Sequence, residues 1–477
     1  MNPDSKTPHV TARTAGNAAG QAQSQRQTFG QAEGDVNLSP NLAAWTAGLR
    51  EKTQDWLRRD AAVFLHQSLS TPCLDVLEGC AGSRLRDMDG REFLDFHGNS
   101  VHQVGFSRPE VIEAAVRQMR ALSFSPRRFT NAPAVLLAEK LAELSPEPLG
   151  RMLFAPGGTL AVGMALKIAR VATGRHKTVS MWDAFHGASL DAVSVGGESL
   201  FRAGIGPLMP GTEHVPPANP YRCVLAPVSG GCEACGLRCA AYLEYVLEKE
   251  GDVAAVIAEP LRCTTVNIPP DGYWQRVRAA CDKHGALLVF DETALCLGRA
   301  GTFHAFERFD VVPDLLVMGK GLGGGVFPLA AVIARTDLNL AGHMALGHYT
   351  HEKNPVACAA ALAAIEVVLN EDLPGRALDL GAHAVARLRA MAGKHRLIGD
   401  VRGLGLSLAV ELVADRETKT PADAQADRIL YRCLERGLSF KVSHGNCLTL
   451  TPPLTVSHEE LDAALDILDE ALSLESA

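Results

Sequence analysis

The sequence predicts an α/β protein with a mostly parallel sheet covered by helices, joined to a smaller α+β domain. Three observations indicate this fold class: short apolar runs alternate with helical segments, the alternation fills the middle of the chain, and the pattern changes near residue 346. Strand–helix–strand alternation is typical of parallel sheets that are buried on both faces. At 477 residues, the chain can form two or three packed units.

The large domain is predicted over residues 106–345. Five apolar runs in it are predicted strands: RMLFAP (151–156), KTVSMWD (177–183), VAAVIAEP (253–260), ALLVFDE (286–292) and LLVMGK (315–320). Helical patterns lie between them, at residues 160–172 and 272–285. Polar residues end three of these strands: Glu259, Asp291 and Lys320. In parallel sheets the carboxyl ends of strands carry the functional residues, so a site is expected at this edge.

The smaller domain is predicted from both ends of the chain, over residues 39–105 and 346–477. The C-terminal part holds a long helix after Asn354-Pro355, short strands at 406–412 and 447–454, and a final helix. Residues 1–38 are rich in Gln, Ser, Thr, Ala and Gly and have little apolar content. Such a composition buries too little surface to offset the entropy of ordering, so a flexible tail is expected.

Charge and composition exclude several classes of partner. The net charge of −8 gives no basic footprint for nucleic acid or anionic membranes. No long uncharged apolar run predicts a membrane span, and the first residues lack the apolar core of a secretory signal. We therefore expect a cytoplasmic protein whose twelve cysteines are mostly reduced.

Four cysteines are closely spaced: Cys223, Cys232, Cys235 and Cys239. The spacing C-x8-C-x2-C-x3-C could hold zinc or an iron–sulfur cluster. A loop of reduced thiols is the favoured interpretation, and no metal is predicted.

Lys320 and Asp291 carry the strongest chemical signal. Lys320 closes an apolar strand and precedes glycines in MGKGLGGG, where a ligand could approach the backbone closely. A lysine in a partly desolvated site can form an imine, although a solvated lysine would also fit. Asp291 lies one strand–helix–strand unit earlier and could pair with the pyridine nitrogen of pyridoxal phosphate (PLP). The alternative for Asp291 is a helix N-cap.

Two further motifs suit the same cofactor. FAPGGTLAVGMALKIAR (154–170) predicts a strand, a turn and a helix start, where the backbone N–H groups and the Thr159 hydroxyl could bind a phosphate. Phe185, followed by His186, could stack on a cofactor ring or pack in the core.

Together these motifs resemble those of the class III aminotransferases, a family with the PLP-dependent transferase fold and a seven-stranded, mostly parallel sheet. The resemblance covers about residues 60–475 and keeps the order of the motifs. It implies that Lys320 carries PLP as a Schiff base and that Asp291 contacts the pyridine nitrogen. It also implies that Gly158 and Thr159 bind the phosphate, with Phe185 and His186 beside the ring.

The resemblance implies a homodimer with shared active sites. Thr350, in HYTHEKNP, matches the threonine that reaches the cofactor phosphate of the neighbouring subunit.

Departures from the family pattern point to the reaction. Many relatives that use amino acids carry an arginine for the substrate carboxylate where this chain has Thr449. Threonine cannot form that bidentate clamp, although compensation elsewhere would also explain the change. The usual Glu-Pro-Val-Gln-Gly becomes Glu259-Pro260-Leu261-Arg262-Cys263, and Leu160 replaces a glutamate. An arginine gained and a glutamate lost favour a small anionic amine as substrate.

Several other residues are candidates for substrate binding. Arg262, Glu259 and Arg127 could face the substrate, as could His97 and Asn99 in LDFHGNSVHQVGF (94–106). A histidine near the cofactor could donate a hydrogen bond or move a proton, and burial as a core histidine fits equally well, also for His102.

The departures resemble a branch of the family whose members are ammonia-lyases of a hydroxylated aminophosphonate. We therefore predict a PLP-dependent lyase that eliminates hydroxide and releases ammonia. The alternative is a transaminase with an ω-amine or aminophosphonate donor and a keto-acid acceptor. A binding module built on the cysteine cluster is a third hypothesis, and it requires no PLP.

Overall fold

The computed structural model describes residues 39–68, 73–225 and 231–476. The flexible tail predicted over residues 1–38 lies outside this range. The strands are β1 (Leu77–Ala81), β2 (Arg84–Asp87), β3 (Glu92–Asp95), β4 (Leu149–Ala155), β5 (Lys177–Met181), β6 (Thr212–Val215), β7 (Val253–Ala258), β8 (Leu287–Asp291), β9 (Leu315–Met318), β10 (Ala330–Arg335), β11 (Ile398–Leu404), β12 (Ser407–Asp415), β13 (Thr420–Pro421), β14 (Leu438–Ser439), β15 (Lys441–Ser443) and β16 (Cys447–Leu450).

Helices occupy the segments between and around the strands. They are α1 (Pro40–Gly48), α2 (Glu51–Val63), α3 (Pro109–Ala121), α4 (Ala132–Leu144), α5 (Gly158–Thr173), α6 (Leu190–Val195), α7 (Ser199–Arg202), α8 (Gly231–Cys235), α9 (Arg238–Glu250), α10 (Tyr273–His284), α11 (Pro355–Asn370), α12 (Leu373–Lys394), α13 (Asp423–Glu435) and α14 (His458–Ser476).

A seven-stranded sheet forms the centre of the large domain, with the order β4-β10-β9-β8-β7-β5-β6. Strand β10 pairs antiparallel with both β4 and β9, and the other neighbouring strands pair in parallel. The predicted seven-stranded, mostly parallel sheet is therefore confirmed. All five predicted strands are present, while β6 and β10 were not among them.

Both faces of this sheet are buried. In β9 and β10, alternate side chains enter two different apolar cores, so that Leu316 and Ile333 lie in one core and Val317 and Val332 in the other. Because successive side chains of a strand point to opposite faces, such strands are apolar throughout. Polar side chains are consequently confined to the strand ends.

The two ends of the chain meet in the smaller sheets. One sheet has the order β1-β2-β3-β14, and another has the order β11-β12-β16-β15, with β13 paired to β12. The pairing of β14 with β3 is parallel and places Ser439 opposite Asp95. This confirms the predicted α+β unit from both ends of the chain, while its exact boundaries stay a prediction. Among the described helices, none is long and apolar enough to cross a membrane.

Two glycines of α12 provide a test of how tightly this unit packs. A Cβ added at Gly381 would lie 2.0 Å from the carbonyl oxygen of Gly405, whereas a Cβ at Gly393 would have no atom within 4 Å. Alanine normally stabilises a helix relative to glycine by up to about 1 kcal/mol. Overpacking against a fixed backbone costs about 1–3 kcal/mol.

We therefore expect Gly381→Ala to lower the thermal unfolding temperature and Gly393→Ala to leave it unchanged or slightly higher. Differential scanning calorimetry of both variants checks this. An equal response of the two variants would contradict the packing argument.

Candidate active site

The carboxyl ends of neighbouring strands bring the predicted residues to one edge of the large sheet. Asp291 is the last residue of β8, the central strand, and Lys320 follows β9. Glu259 follows β7 on the other side of β8, and Gly158 opens α5 after β4. Since these strands are parallel to one another, their ends share an edge of the sheet.

The carboxylate of Asp291 is buried, and each of its oxygens has at least one hydrogen-bond partner. Its side chain is 4% exposed, and Nδ1 of His186 lies 2.8 Å from Oδ2. Oδ1 accepts hydrogen bonds from the backbone N–H and the hydroxyl of Thr293, at 3.0 and 2.5 Å. The carboxylate is therefore held by two side chains that come from different loops.

Thr293 is a central residue that sequence reasoning did not assign to the site. A Cβ built on Gly158 or on Gly319 would lie 3.0 Å from Cγ2 of Thr293. The start of α5 and the residue before Lys320 thus both pack closely against the Thr293 side chain. The sequence did contain a signal for this role, because a short polar residue two positions after an aspartate that ends a strand can donate to the aspartate carboxylate.

Lys320 has a backbone conformation that is uncommon for a residue with a side chain. Its φ is +42°, in the left-handed region, and it begins a single 3-10 turn, Lys320–Gly323. Such strain is retained where the surroundings fix the residue, often at functional sites. A Cβ on Gly321 would lie 1.9 Å from Oε1 of the buried Gln103, so a larger residue after the lysine would have to displace this side chain.

The turn before α5 offers an open helix N-terminus. No side chain caps the helix at Gly157, so its first N–H groups are available to an anion. The hydroxyl of Thr159 lies 2.7 Å from that of Ser189 and accepts from the Ser189 N–H at 3.1 Å. The loop that follows Phe185 and His186 therefore lies against this turn.

Phe185 lies half-buried beside Phe201. The ring centroids are 4.2 Å apart, and the planes are tilted by 39°. His186, its neighbour, is buried, and its Nε2 has no partner among the described residues. Together they present an aromatic ring and an imidazole next to Asp291.

His97 and Asn99 lie in a strained turn after β3. Gly98, Asn99 and Ser100 all have positive φ, from +46° to +57°. The pKa of His97 is lowered to about 4, first by burial and then by the charges of Lys441 and Lys320, while a hydrogen bond with Asn99 opposes this. His97 is therefore a neutral imidazole near pH 7, within electrostatic range of Lys320.

His102, a further candidate, belongs to the core. Its side chain is fully buried, Nε2 lies 3.2 Å from the carbonyl oxygen of Asp95, and the ring packs against Phe106. Burial lowers the pKa of His102 to about 3.

Arg262 is committed to two carboxylates. Its Nη1 donates to Glu259 at 2.7 Å and its Nη2 to Glu198 at 2.6 Å, with the three side chains 7–11% exposed. Burial disfavours the charged forms of these groups. The attraction between Arg262 and the two carboxylates outweighs this effect, so the pKa of Arg262 is raised and that of Glu259 is lowered. The structure thus pairs the arginine internally, with Glu198 as a partner that the sequence did not indicate. Substrate binding by Arg262 stays a prediction, and it would require one of these carboxylates to be displaced.

Arg127 and Thr350 lie in two neighbouring surface loops. Nη1 of Arg127 is 3.4 Å from Oε1 of Glu352, and Nη2 contacts His348. Thr350 is exposed and lies between His348 and Glu352 in the sequence. Both loops therefore lie on a surface that faces solvent when the chain is considered without a partner subunit.

The four closely spaced cysteines line one small cavity together with Pro217 and Pro270. Burial raises the pKa of Cys239 to about 11 and raises that of Cys232, which favours the protonated thiols. Within the described ranges, no group of three or more His, Cys, Asp or Glu side chains is arranged to hold a metal ion.

Comparisons with known proteins agree with this geometry. A family model for class-III aminotransferases matches residues 67–472. The chain belongs to this family. It is 48% identical to an (R)-1-hydroxy-2-aminoethylphosphonate ammonia-lyase from Vibrio splendidus, over 93% of this chain and 95% of the relative. It is also 36% identical to a leucine/methionine racemase from Thermococcus litoralis, over 88% of this chain and 96% of the relative.

Solved structures show the same fold. A PLP-bound amine transaminase from an uncultivated Pseudomonas species has a TM-score of 0.81 at 32% identity, over 86% of this chain and 98% of that one. An (S)-enantioselective ω-transaminase from Thermomicrobium roseum has a TM-score of 0.82 at 31% identity, over 88% and 98%. The predicted fold, the PLP cofactor and the assignment as a PLP-dependent lyase are confirmed.

The described residues fit this cofactor. Asp291 offers a buried carboxylate to the pyridine nitrogen, and the uncapped start of α5 offers N–H groups to the phosphate. A Cβ on Gly187 would lie 2.3 Å from the Thr159 hydroxyl, so the loop beside the phosphate turn has no room for a larger residue. Lys320 follows β9, the strand next to β8, and so lies at the same edge of the sheet.

Thr293 is predicted to fix the Asp291 carboxylate. Replacing it by valine keeps the shape but removes the 2.5 Å hydrogen bond. Losing one hydrogen bond to a charged group costs about 1.5–3 kcal/mol, so PLP affinity should fall roughly ten- to 150-fold. Titration of the apoenzyme with PLP, followed by cofactor absorbance, measures this.

Thr293→Ser is the matched control, because it keeps the hydroxyl and should bind PLP nearly as the wild type does. If the valine and serine variants bind PLP equally, the hydrogen bond has no role in holding the cofactor.

Proposed function

We propose that this chain is an ammonia-lyase that converts (R)-1-hydroxy-2-aminoethylphosphonate into phosphonoacetaldehyde and ammonia. The observation that carries the proposal is the 48% identity over nearly the whole length to a lyase of that name. The site supports it at Thr449, which is buried and donates its hydroxyl to the carbonyl of Thr264. No carboxylate clamp is available at this position, as expected for a substrate other than an ordinary amino acid.

The cofactor-binding residues are proposed from their positions. Lys320 would hold PLP covalently, and Asp291, itself held by His186 and Thr293, would keep the ring nitrogen protonated. The first N–H groups of α5 would bind the phosphate, and Phe185 would contact the ring. The chemistry that PLP would supply is an electron sink that acidifies the C–H bond of the carbon bearing nitrogen.

The residues of the chain then move protons. Once the substrate amine has displaced it from the cofactor, Lys320 Nζ takes the proton from the carbon that bears nitrogen, and hydroxide leaves from the adjacent carbon that carries the phosphonate. That hydroxide needs a proton, which Lys320 can return. His97 is the weaker donor because its low pKa keeps it neutral before substrate binds. Tautomerisation and hydrolysis of the released enamine give the aldehyde and ammonia.

A transaminase is the second candidate, because the solved structures most similar in fold include transaminases. Such an enzyme would use an ω-amine or aminophosphonate donor and would need a keto-acid acceptor.

Product analysis separates the two activities. We expect the purified enzyme to release ammonia and phosphonoacetaldehyde in equal amounts from the aminophosphonate, without any keto acid. Ammonia is measured with glutamate dehydrogenase only after the reaction has been stopped, because that assay itself contains the keto acid 2-oxoglutarate. The aldehyde is measured by phosphorus NMR. Lys320→Ala should form neither product, because it removes the base.

Adding pyruvate should not raise the rate. Turnover that requires pyruvate and yields alanine would instead identify a transaminase.

A homodimer with shared sites is also proposed. Thr350 and Arg127 lie on a surface that exposes several large apolar side chains, and Phe124 packs edge-on against His351 at 5.4 Å. The exposed apolar side chains near these loops are Leu122, Phe124, Phe129, Leu340 and Met344. Contiguous exposed apolar surface is typical of a protein interface.

Mixed dimers test whether Thr350 serves the neighbouring site. Lys320→Ala and Thr350→Glu should each be nearly inactive alone, since the glutamate would repel the cofactor phosphate. Co-expressed with different tags and purified as hetero-dimers, they should regain activity, because one of the two sites then has both wild-type residues. A monomeric mass by light scattering, or no recovery in the mixed dimers, would contradict shared sites.

A further inference from the structure

The small sheet places a lysine next to the proposed substrate site. Lys441 begins β15 and is the cross-strand partner of Thr449 in β16. Directly opposed residues of an antiparallel pair point to the same face. Thr449 faces the carbonyl of Thr264 and the hydroxyl of Ser443, so Lys441 projects from the face that packs against residues 262–265.

A second strand pairing brings the segment that precedes Lys441 beside the segment that precedes His97. Strand β14 pairs in parallel with β3, with Ser439 opposite Asp95, and the Phe96 N–H donates to the Ser439 carbonyl at 2.7 Å. Lys441 and His97 each lie two residues beyond this pair, at the same end of the paired strands. Thr451 borders the same turn from the other side, and its N–H donates to the Phe96 carbonyl at 2.7 Å.

The electrostatics agree with this placement. The charges of Lys441 and Lys320 both act on the His97 imidazole, after burial, to lower its pKa. Both lysines therefore lie within electrostatic range of the His97 imidazole. A bound dianion is attracted to such a group and would relieve the repulsion on His97.

Thr449 occupies the position at which many relatives place a carboxylate-binding arginine. Lys441 supplies a positive charge directly across from that position.

We propose that Lys441 binds the phosphonate of the substrate, with His97 as a neutral hydrogen-bond donor to the same group. This inference rests on the proposed function and names the residue that recognises the anion. A lysine is a compact point charge with three donors, which suits the three oxygens of a tetrahedral phosphonate. Lys441 is thus a specificity-determining residue, and the chemistry remains with Lys320.

The test uses the PLP-loaded dimer and ethylphosphonate, which has the anion but no amine to react. Isothermal titration calorimetry measures its dissociation constant for the wild type, Lys441→Met, Lys441→Arg and Lys249→Met. Lys249 is a surface lysine beside Glu248 and serves as the charge-matched control.

We expect Lys441→Met to weaken ethylphosphonate binding about tenfold or more, and Lys249→Met to leave it unchanged. Lys441→Arg should keep most of the affinity because it keeps the charge. With the aminophosphonate substrate, Lys441→Met should raise KM by a similar factor and change kcat less. The cofactor absorbance of each variant should equal that of the wild type, which shows an intact PLP site.

Equal binding of ethylphosphonate by the wild type and Lys441→Met overturns the inference, as does a wild type that does not bind it. The two proposals can fail separately. A wild type that releases no ammonia contradicts the proposed function, while ethylphosphonate binding that still depends on Lys441 supports the anion site.

Discussion

A buried carboxylate at the end of the central strand is the constraint on which the site depends. An ionised carboxylate in the interior is costly unless it is paired and hydrogen-bonded. Asp291 meets this requirement through His186 and Thr293, which come from different loops. Those loops also border the glycine turn before α5 and the glycine before Lys320. Solvation of one carboxylate therefore fixes the spacing of the whole cofactor site.

Charge is divided unevenly around this centre. On one side, Glu198, Arg262 and Glu259 neutralise most of their charge among themselves. On the other, His97 experiences the charges of Lys320 and Lys441. The second side therefore suits an anionic substrate of the kind proposed, whose charge would orient it before any chemistry begins.

The substrate side of the site depends on contacts between the two ends of the chain. Strand β14 pairs with β3, and the pairing of Ser439 with Asp95 brings the segments that lead to Lys441 and His97 side by side. The cofactor side depends instead on the large sheet, whose strand ends hold Asp291 and Lys320. Separate frameworks for cofactor and substrate allow a family of one fold to include lyases, racemases and transaminases.

The sequence by itself determined the fold class, because apolar periodicity and local turns are encoded within short segments. The cofactor and the proposed roles of Lys320 and Asp291 followed from motifs at the strand ends and from their resemblance to a known family. Only the tertiary structure decided that Arg262 pairs with Glu198, that Thr293 holds Asp291 and that Lys441 lies near His97. Partners of buried charges and the register of distant strands are set by packing between segments, and no local pattern encodes them.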